Sequence, residues 1–224
     1  MKSLCVSNIF LHLSRIHTNK HMNSLPPNHL KVMEAAIAEF QEKGFTRSSM
    51  ASIAKEAGLQ EKELLEQYQN KDIVFKDVFL ELYGRIAPQL QDIMDGDMPI
   101  FEKILHFTNN YVAFINDYKF LPLGLIHKLN SNTDFAEEFI VNLRMPDPTG
   151  FYKQVNREIE KGNIRPINPK QLMINIFALS VFPHVASPLM KDFINAGNDE
   201  FENIKKSGKK SVADFIINSI RIEK

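Results

Sequence analysis

The sequence predicts an all-α protein, and three features favour this class. Apolar residues recur at three- and four-residue spacing along most of the chain, strand-type alternation is scarce, and Gly and Pro occur mainly at breaks between periodic segments. Hydrophobic residues make up 44% of the 224 positions, so the chain can bury a core of its own. We therefore expect a globular helical protein with a small N-terminal unit and a larger helical body.

The first predicted helix begins at about Asn28, a favourable N-cap after two prolines, and ends at Gly44, which can adopt the left-handed conformation of a helix stop. One face of this helix is apolar and is formed by Leu30, Met33, Ala36, Ile37 and Phe40. We expect that face to pack against the second helix.

The second predicted helix is short, with Ser48 or Ser49 as its N-cap and Gly58 as its stop. The third covers about residues 60–67 and is partly buried through the spacing of Leu64, Leu65 and Tyr68. Two short helices around a tight glycine turn are typical of a helix-turn-helix. In that motif the first helix braces the second, which lies in the major groove of DNA.

A long fourth helix is predicted to begin at Asn70 or Asp72, and no flexible linker separates it from the third. We expect it to be shared between the N-terminal unit and the body and to transmit force between them. Pro88 and Pro183 lie inside helical patterns, and each predicts a kink or a boundary because proline lacks a backbone donor. Further helices are expected at about residues 99–117, 121–130, 133–144, 149–161, 169–196 and 199–222.

Charge and cysteine content restrict the possible functions. The 27 basic and 27 acidic residues give a net charge of zero, so any attraction to nucleic acid must come from a local patch. The single cysteine, Cys5, excludes an internal disulfide or a cysteine-based metal cluster and suits a reducing compartment. No run of about 18 apolar residues is present, and no small-residue cleavage site follows the N-terminal apolar stretch. We expect a cytoplasmic protein.

No set of residues points to catalysis. The sequence contains no HExxH, no Gly-rich strand-to-helix turn and no nucleophile elbow. We therefore predict no catalytic residues, no metal ligands and no cofactor, and we expect a protein that is not an enzyme. One alternative stays open, a helical hydrolase built around His127 or His184.

The first helices carry the segments VMEAAIAEFQEKGFTRSSMASIAKEAGL and LLEQYQNKDIVF. Their order, without a gap over about residues 30–75, resembles the N-terminal domain of TetR/AcrR-type transcriptional regulators. The positions that carry the resemblance are Ala35, Ala36, Phe40, Gly44, Phe45, Ser48, Ser49, Ile53, Ala54, Ala57, Gly58, Leu64, Tyr68 and Lys71, with conservative residues at Leu59, Asp72 and Val74. Two later segments, EIEKGNIRPINPKQL and FENIKKSGKKSVADFIINSIR, resemble the family's connection into its last two helices and its final helix.

This resemblance implies a three-helix helix-turn-helix DNA-binding domain joined to a larger helical ligand-binding and dimerisation domain. We expect residues 1–27 to be an extension or flexible arm, residues 28–70 the DNA-binding domain and residues 71–224 the body. A homodimer would bind double-stranded operator DNA, and a small apolar effector would release it by moving the fourth helix, with Pro88 as a candidate flexing point. The DNA-binding positions would be Ser48, Ser49, Gln60, Glu61, Lys62, Leu65, Gln67 and Lys71.

The predicted recognition helix departs from the family. It carries one base, Lys62, against Glu61, Glu63 and Glu66, and it has Leu65 where such proteins have an aromatic residue that contacts phosphate. Acidic residues at a helix start can stabilise the helix, and a carboxylate can also accept from cytosine N4. The alternative is a ligand-binding or interaction module of the same fold that has lost operator recognition.

A basic N-terminal arm is a third feature that can offset the acidic charge of the predicted recognition helix. The first 33 residues contain Lys2, Arg15, Lys20, Lys31 and four histidines but no acidic residue. Such an arm can supply phosphate contacts or lie in the minor groove. Equally, residues 1–21 can be an upstream extension, because the regular pattern begins only after Met22.

The body contains aromatic stripes with a few polar residues among them. Helical bodies of this size often enclose an apolar pocket, and the candidate ligand-binding residues are Phe107, Tyr111, Phe114, His127, Phe177 and His184. The simpler interpretation of each aromatic residue is core packing, and that of each histidine is a hydrogen-bonded or exposed ring.

The last two predicted helices carry stripes that suit a dimer interface. Two such helices from each chain would form a four-helix contact about a two-fold axis. The candidate interface residues are Ile176, Phe177, Val181, Val185, Val212, Phe215, Ile216 and Ile220. The alternative is that these stripes pack only on their own body.

Overall fold

The computed structural model describes residues 28–131, 139, 143 and 145–222, and within them the chain forms ten helices. The N-terminal unit holds α1 (His29–Arg47), α2 (Met50–Ala57) and α3 (Glu61–Tyr68), and α4 (Lys71–Asp95) follows. The rest of the body comprises α5 (Ile100–Asp117), α6 (Phe120–Ser131), α7 (Thr149–Glu160), α8 (Pro169–Val185), α9 (Ser187–Phe193) and α10 (Asn198–Ile220). An isolated antiparallel bridge between Ile164 and Arg221 is the β-type pairing found in this part of the chain.

The helix signals of the N-terminal unit are confirmed with small differences. Asn28 precedes α1 in the left-handed conformation (φ 62°) without a side-chain cap. Gly44 (φ 73°, ψ 164°) breaks the helix as expected, and a further turn continues to Arg47. Gly58 (φ 69°) ends α2 in the left-handed region that glycine favours. Contrary to the predicted apolar stripe, Leu30 is exposed.

A buried carboxylate joins α1 to α2. Glu39 is buried, and it accepts hydrogen bonds from Lys43 Nζ at 2.9 Å and from Ser52 Oγ at 2.5 Å. Burial works against ionisation, but the hydrogen bonds from Ser52 and Lys43 hold the pKa of Glu39 below its ordinary value. This contact holds α2 against α1.

Aromatic rings connect the N-terminal unit to the body without a gap. Phe40 and Phe45 of α1 both contact Phe75 of α4, with ring centroids 5.7 Å and 4.9 Å apart. Phe120 at the start of α6 lies 5.7 Å from Phe40. The two parts therefore share one core, and α4 runs through it as the sequence predicted.

The two internal prolines have different effects. Helix α4 continues from Lys71 to Asp95 across Pro88, so the boundary that the sequence allows there is absent. Helix α8 ends at Val185, soon after Pro183, and α9 follows with an 85° bend. The break that Pro183 predicted is therefore confirmed, and two helices replace the single one expected at residues 169–196.

For two predicted regions the structure gives little or no description. The expected arm at residues 1–27 lies outside the described residues, as does nearly all of the helix expected at 133–144.

Among the helices that the structure describes, none is by itself both long and apolar enough to cross a membrane. Helices α8 and α9 together have sufficient length and apolar composition, but they are bent against each other by 85°.

Candidate DNA-binding surface and regulatory body

Helix α3 presents its outward face at the surface of the N-terminal unit. Gln60, Glu61, Lys62 and Leu65 are all exposed, so the expectation that Leu65 helps to bury the helix was wrong. Glu63 turns back to the helix start, where its carboxylate accepts a 2.9 Å hydrogen bond from the backbone N–H of Gln60. One carboxylate of α3 thus acts as a helix cap at the positive end of the helix dipole.

The charge on the outer face of α3 remains acidic. Lys62 Nζ lies 4.0 Å from the carboxylate of Glu66, and both side chains are exposed, so their attraction is weak. Glu61 is also exposed. Attraction to DNA phosphates must therefore come from groups outside this helix.

The two adjacent serines have different structural roles. Ser49 is the N-cap of α2, because its exposed hydroxyl accepts from the backbone N–H of Ser52 at 3.1 Å. Ser48 is buried, and its hydroxyl donates to the carbonyl of Gly44 at 2.7 Å. Of the two predicted DNA contacts, Ser49 alone offers its side chain at the surface.

The ammonium group of Lys71 is held by the protein itself. Its Nζ donates to the carbonyl oxygens of Phe45 at 2.7 Å and Ser48 at 2.6 Å, and it lies 4.5 Å from the centroid of the Phe45 ring. Burial lowers the pKa of Lys71. The family resemblance implies a phosphate contact here, whereas the geometry is that of a lysine that joins the end of α1 to the start of α4.

The C-terminal end of α3 is attached to α1 by a contact that sequence analysis missed. Tyr68 is buried, and its hydroxyl shares a 2.7 Å hydrogen bond with Nδ1 of His29. Gln67 is half-buried, and its Oε1 has no hydrogen-bond partner in the described part of the chain. The sequence shows a histidine at the first position of α1. The spacing of residues within one helix cannot reveal that its partner lies 39 residues away.

Three of the six candidate ligand-binding residues come together inside the body. The ring of Phe177 lies 5.7 Å from Phe107 and 4.9 Å from Tyr111, both in edge-to-face geometry. Burial raises the pKa of the Tyr111 hydroxyl. These rings form a cluster in which α5 and α8 pack against each other.

The other three candidates lie apart from this cluster. Phe114 packs against Tyr118, and His127 is on the exposed side of α6, 6.2 Å from the ring of Phe45. His184 is only 5% exposed, and its Nδ1 has no partner among the described residues. Burial, together with the charge of Lys205, lowers the pKa of His184 to about 4. The six residues therefore do not line one site.

A groove along α4 is a better candidate for a ligand. It has a volume of 510 Å³, and we call it the α4 groove; its lining is Leu80, Tyr83, Gly84, Ala87, Pro88, Gln91, Leu143, Met145 and Pro146. The Tyr83 hydroxyl, whose pKa burial raises to about 12, donates to Met145 Sδ at 3.3 Å. Gly84 leaves open space, since no atom lies within 4 Å of a Cβ built there. The sequence feature that could have indicated this groove is the presence of Gly84 and Pro88 close together within one long helix.

The candidate interface residues of α8 and α10 divide into two groups. Ile176, Ile216 and Ile220 are buried within their own subunit and so cannot supply an exposed contact face. Phe177, Val181, Val185 and Val212 are half-buried. Phe215 is 66% exposed, and the large apolar side chains exposed beside it on the same helices are Ile174, Leu179, Phe182 and Ile204.

A family model and a curated relative match the chain. Residues 32–78, which cover most of α1, all of α2 and α3 and the start of α4, match the model described as bacterial regulatory proteins, tetR family. The chain is similar to the fatty acid metabolism regulator protein of Bacillus subtilis (strain 168), at 20% identity over 118 residues, or 52% of this chain. The match spans 61% of that relative's length.

Solved structures share the fold over most of the chain. PfmR, a TetR family transcriptional regulator from Thermus thermophilus, has a TM-score of 0.62 and 14% identity, with 89% of this chain and 98% of that chain covered. FadR from Bacillus subtilis, solved in complex with stearoyl-CoA, has a TM-score of 0.57 and 16% identity, with 83% and 97% covered. Residues 32–78 thus match the N-terminal domain of the tetR family of bacterial regulatory proteins, and the chain as a whole shares the fold of these solved regulators.

Proposed function

We propose that the protein is a homodimeric repressor that a small apolar effector releases from its operator DNA. The observation that carries the proposal is the position of α4, which begins beside the helix-turn-helix and lines the 510 Å³ groove in the body. One rigid element thus contacts both the DNA-binding unit and the candidate effector site. We divide the chain accordingly into a DNA-binding domain at residues 28–70 and a ligand-binding and dimerisation domain from residue 71.

In the proposed complex, the exposed face of α3 enters the major groove. Gln60, Lys62 and Leu65 reach the base edges, and Ser49 at the start of α2 contacts the phosphate backbone. Lys71 and Ser48 act indirectly, because they hold α1, α2 and α4 in the arrangement that presents α3. Two such heads bind half-sites about one helical turn apart.

The exposed apolar side chains of α8 and α10 support dimerisation. Leu179, Phe182, Ile204 and Phe215 form an apolar surface that the described part of the subunit leaves open to solvent. Burying such side chains against a second copy is favourable at about 25 cal/mol per Å² of apolar surface removed from water. A two-fold contact of this surface with itself brings the two α3 helices into a fixed spacing.

The effector that suits the α4 groove is apolar with an acyl-like chain. The groove is lined mainly by aliphatic side chains, with the hydroxyl of Tyr83 and the amide of Gln91 as its polar groups. The similarity to a fatty acid metabolism regulator, and to FadR bound to stearoyl-CoA, supports this class. An effector that binds better when α4 is displaced lowers operator affinity by the same factor as DNA lowers effector affinity.

The test is binding to DNA from the protein's own upstream region against a scrambled duplex at two salt concentrations. Specific binding predicts tighter association with the upstream DNA, and an acidic α3 with few phosphate contacts predicts a shallow salt dependence. Addition of an acyl compound such as dodecanoate is expected to release the upstream DNA. Loss of specific binding on Lys62→Ala and Gln60→Ala, but not on Lys206→Ala in α10, would support the proposed docking.

A second candidate function is a ligand-binding module of the same fold that does not read operators. The acidic outer face of α3 favours it, because exposed carboxylates repel phosphates. Equal affinity for upstream and scrambled DNA at both salt concentrations would favour this candidate. Deletion of residues 1–21 tests the arm, since unchanged affinity for DNA would mean that it makes no contact.

A further inference from the structure

A second cavity lies where the DNA-binding unit meets the body. It has a volume of 540 Å³ and is lined by residues 40–47 at the end of α1 and by residues 119, 120, 123, 124 and 127 at the start of α6. We call it the junction cleft. It does not share any lining residue with the α4 groove, and its two walls belong to the two functional halves of the chain.

The cationic residues of the junction cleft differ in how far their charge is compensated. Lys43 is paired with Glu39 and Lys119 with Glu202, whereas Arg47 forms no salt bridge with any described residue. The charge of Lys71 adds to the field, because its ammonium is bound by neutral carbonyls and stacks on Phe45, which also lines the cleft. An anion is therefore attracted here in preference to a neutral molecule.

Two polar side chains of the cleft keep hydrogen-bonding groups that the described residues do not use. The Nε of Arg47 donates to the carbonyl of Lys43 at 3.0 Å, and across the part of the chain that the structure describes this exposed guanidinium forms no salt bridge. His127 is exposed and contacts the Phe45 ring, and its ring nitrogens form no hydrogen bond with the described residues. A guanidinium offers a planar fork of donors, and an imidazole in either tautomer offers one N–H.

The floor of the cleft is apolar. Its most exposed apolar side chain is Leu123, with 47% of its surface exposed, and the rings of Phe40, Phe45 and Phe120 line it as buried side chains. A ligand with an anionic head and a short apolar part can thus pair the head with Arg47 and His127 while covering this floor. A purely polar anion leaves the apolar side chain of Leu123 in water, and a neutral apolar molecule makes no hydrogen bond with Arg47 or His127.

From this arrangement we infer that the junction cleft binds an anionic amphiphile, with a carboxylate or phosphate head between Arg47 and His127 and an alkyl portion on the Phe45 floor. The ligand contacts α1 and α6 together, so it fixes the DNA-binding unit relative to the body. This site is separate from the effector site of the proposed function. Binding at it does not depend on whether the protein is a repressor or recognises an operator.

The test uses a tryptophan placed in the cleft. The natural chain contains no tryptophan, so Leu123→Trp at the half-exposed edge gives a fluorescence signal from this site alone. Octyl phosphate and octanoate are the anionic probes, and octanol is the neutral control. We expect saturable quenching or enhancement with an anion and none with octanol at the same concentration. The tighter of the two anions identifies the head group.

Two further variants make the result specific. Adding Arg47→Gln to the Leu123→Trp reporter is expected to weaken binding about tenfold or more, the effect of losing a charge-assisted hydrogen bond, whereas Lys206→Gln on exposed α10 leaves binding unchanged. Adding Gly84→Leu blocks the α4 groove but keeps the fluorescence response of the reporter. Titration calorimetry on the unmodified protein repeats the comparison without the reporter.

The inference is overturned if octanol binds as well as the anions or if Arg47→Gln has no effect. It is also overturned if Arg47→Gln weakens DNA binding alone, because Arg47 would then be a phosphate contact. Loss of the reporter's fluorescence response on Gly84→Leu would assign binding to the α4 groove instead. None of these outcomes depends on whether the chain is a repressor.

Discussion

The ring of Phe75 fills the space beside Gly124. A Cβ atom at position 124 would lie 2.5 Å from Cζ of Phe75, closer than any side chain allows. Phe75 is fully buried near the start of α4, and Gly124 lies on α6. Helices α4 and α6 therefore pack closely at this point, where the body contacts the core of the DNA-binding unit. Only glycine at position 124 leaves room for the Phe75 ring.

Gly124→Ala is expected to destabilise the protein by about 1–3 kcal/mol, because the added methyl group overpacks the Phe75 ring. The matched control is Gly84→Ala, where no atom lies within 4 Å of the new Cβ. That change is expected to stabilise by up to about 1 kcal/mol, since alanine is the better helix former. Urea unfolding measures both, and equal effects at the two positions would contradict the close approach.

Lys71→Met is expected to cost about 1–3 kcal/mol of unfolding free energy, because it removes the donor that satisfies the carbonyls of Phe45 and Ser48. Lys62→Met on the exposed face of α3 is expected to change stability by less than about 0.5 kcal/mol. The same urea experiment compares the two variants. If Lys71→Met lowered DNA affinity while leaving stability intact, a direct phosphate contact would be the better explanation.

Gly84→Leu is expected to weaken binding of an acyl effector to the α4 groove by at least about tenfold, since the new side chain projects into open space within it. Binding to upstream DNA without effector should not change, because position 84 lies far along α4 from the helix-turn-helix. Calorimetry with dodecanoate gives the first quantity and a DNA-shift assay gives the second. Unchanged effector affinity would place the effector elsewhere.

His184 is expected to make stability fall as the pH is lowered. Its pKa is about 4 in the folded protein and about 6.5 in the unfolded chain. The unfolded state therefore binds more protons between these values, so the contribution is complete above pH 6.5 and declines below it. Between about pH 7 and pH 5 the loss is of the order of 2 kcal/mol.

The charged groups around this ring allow a control. Lys205, Lys119 and Glu202 lie near His184, and the pKa of Glu202 is lowered to about 2 by its hydrogen bonds from Lys119 and Lys205. Protonation of Glu202 therefore affects stability only below about pH 4.5. Urea unfolding of His184→Gln from about pH 7 to pH 5 should show a flatter dependence than the unmodified protein, and an unchanged slope would exclude His184 as its source.

Phe215→Glu is expected to give a folded monomer. Phe215 is 66% exposed in the subunit, so the charge disturbs a dimer contact without disturbing the core. The neighbouring change Ile216→Glu is expected to destabilise the subunit itself, because Ile216 is only 2% exposed and the new carboxylate would be buried. Sedimentation velocity and circular dichroism separate the two effects. A Phe215→Glu variant that remains a dimer would move the interface away from this face.

Local signals in the sequence determined the class of fold and the N-terminal unit. Ser49, Gly58 and Asn70 act on backbone groups within a few residues of themselves, and their positions predicted the limits of α2 and the start of α4. The same local pattern carried the family resemblance. It also predicted an acidic recognition helix, since side-chain charge along α3 is visible without any knowledge of packing.

Tertiary structure alone decided which of these residues are available for function. The sequence alone predicts a free cation at Lys71. In the structure its ammonium group donates hydrogen bonds to carbonyls 23 and 26 residues earlier in the chain. Phe215 and Ile216 are equivalent in a hydrophobic pattern, yet one is exposed and the other belongs to the core. Likewise, the junction cleft arises from two segments that are far apart in the chain, at residues 40–47 and 119–127. Periodicity records which residues are apolar, whereas burial and partners depend on how separate helices pack, and that depends on contacts that no local stretch of sequence contains.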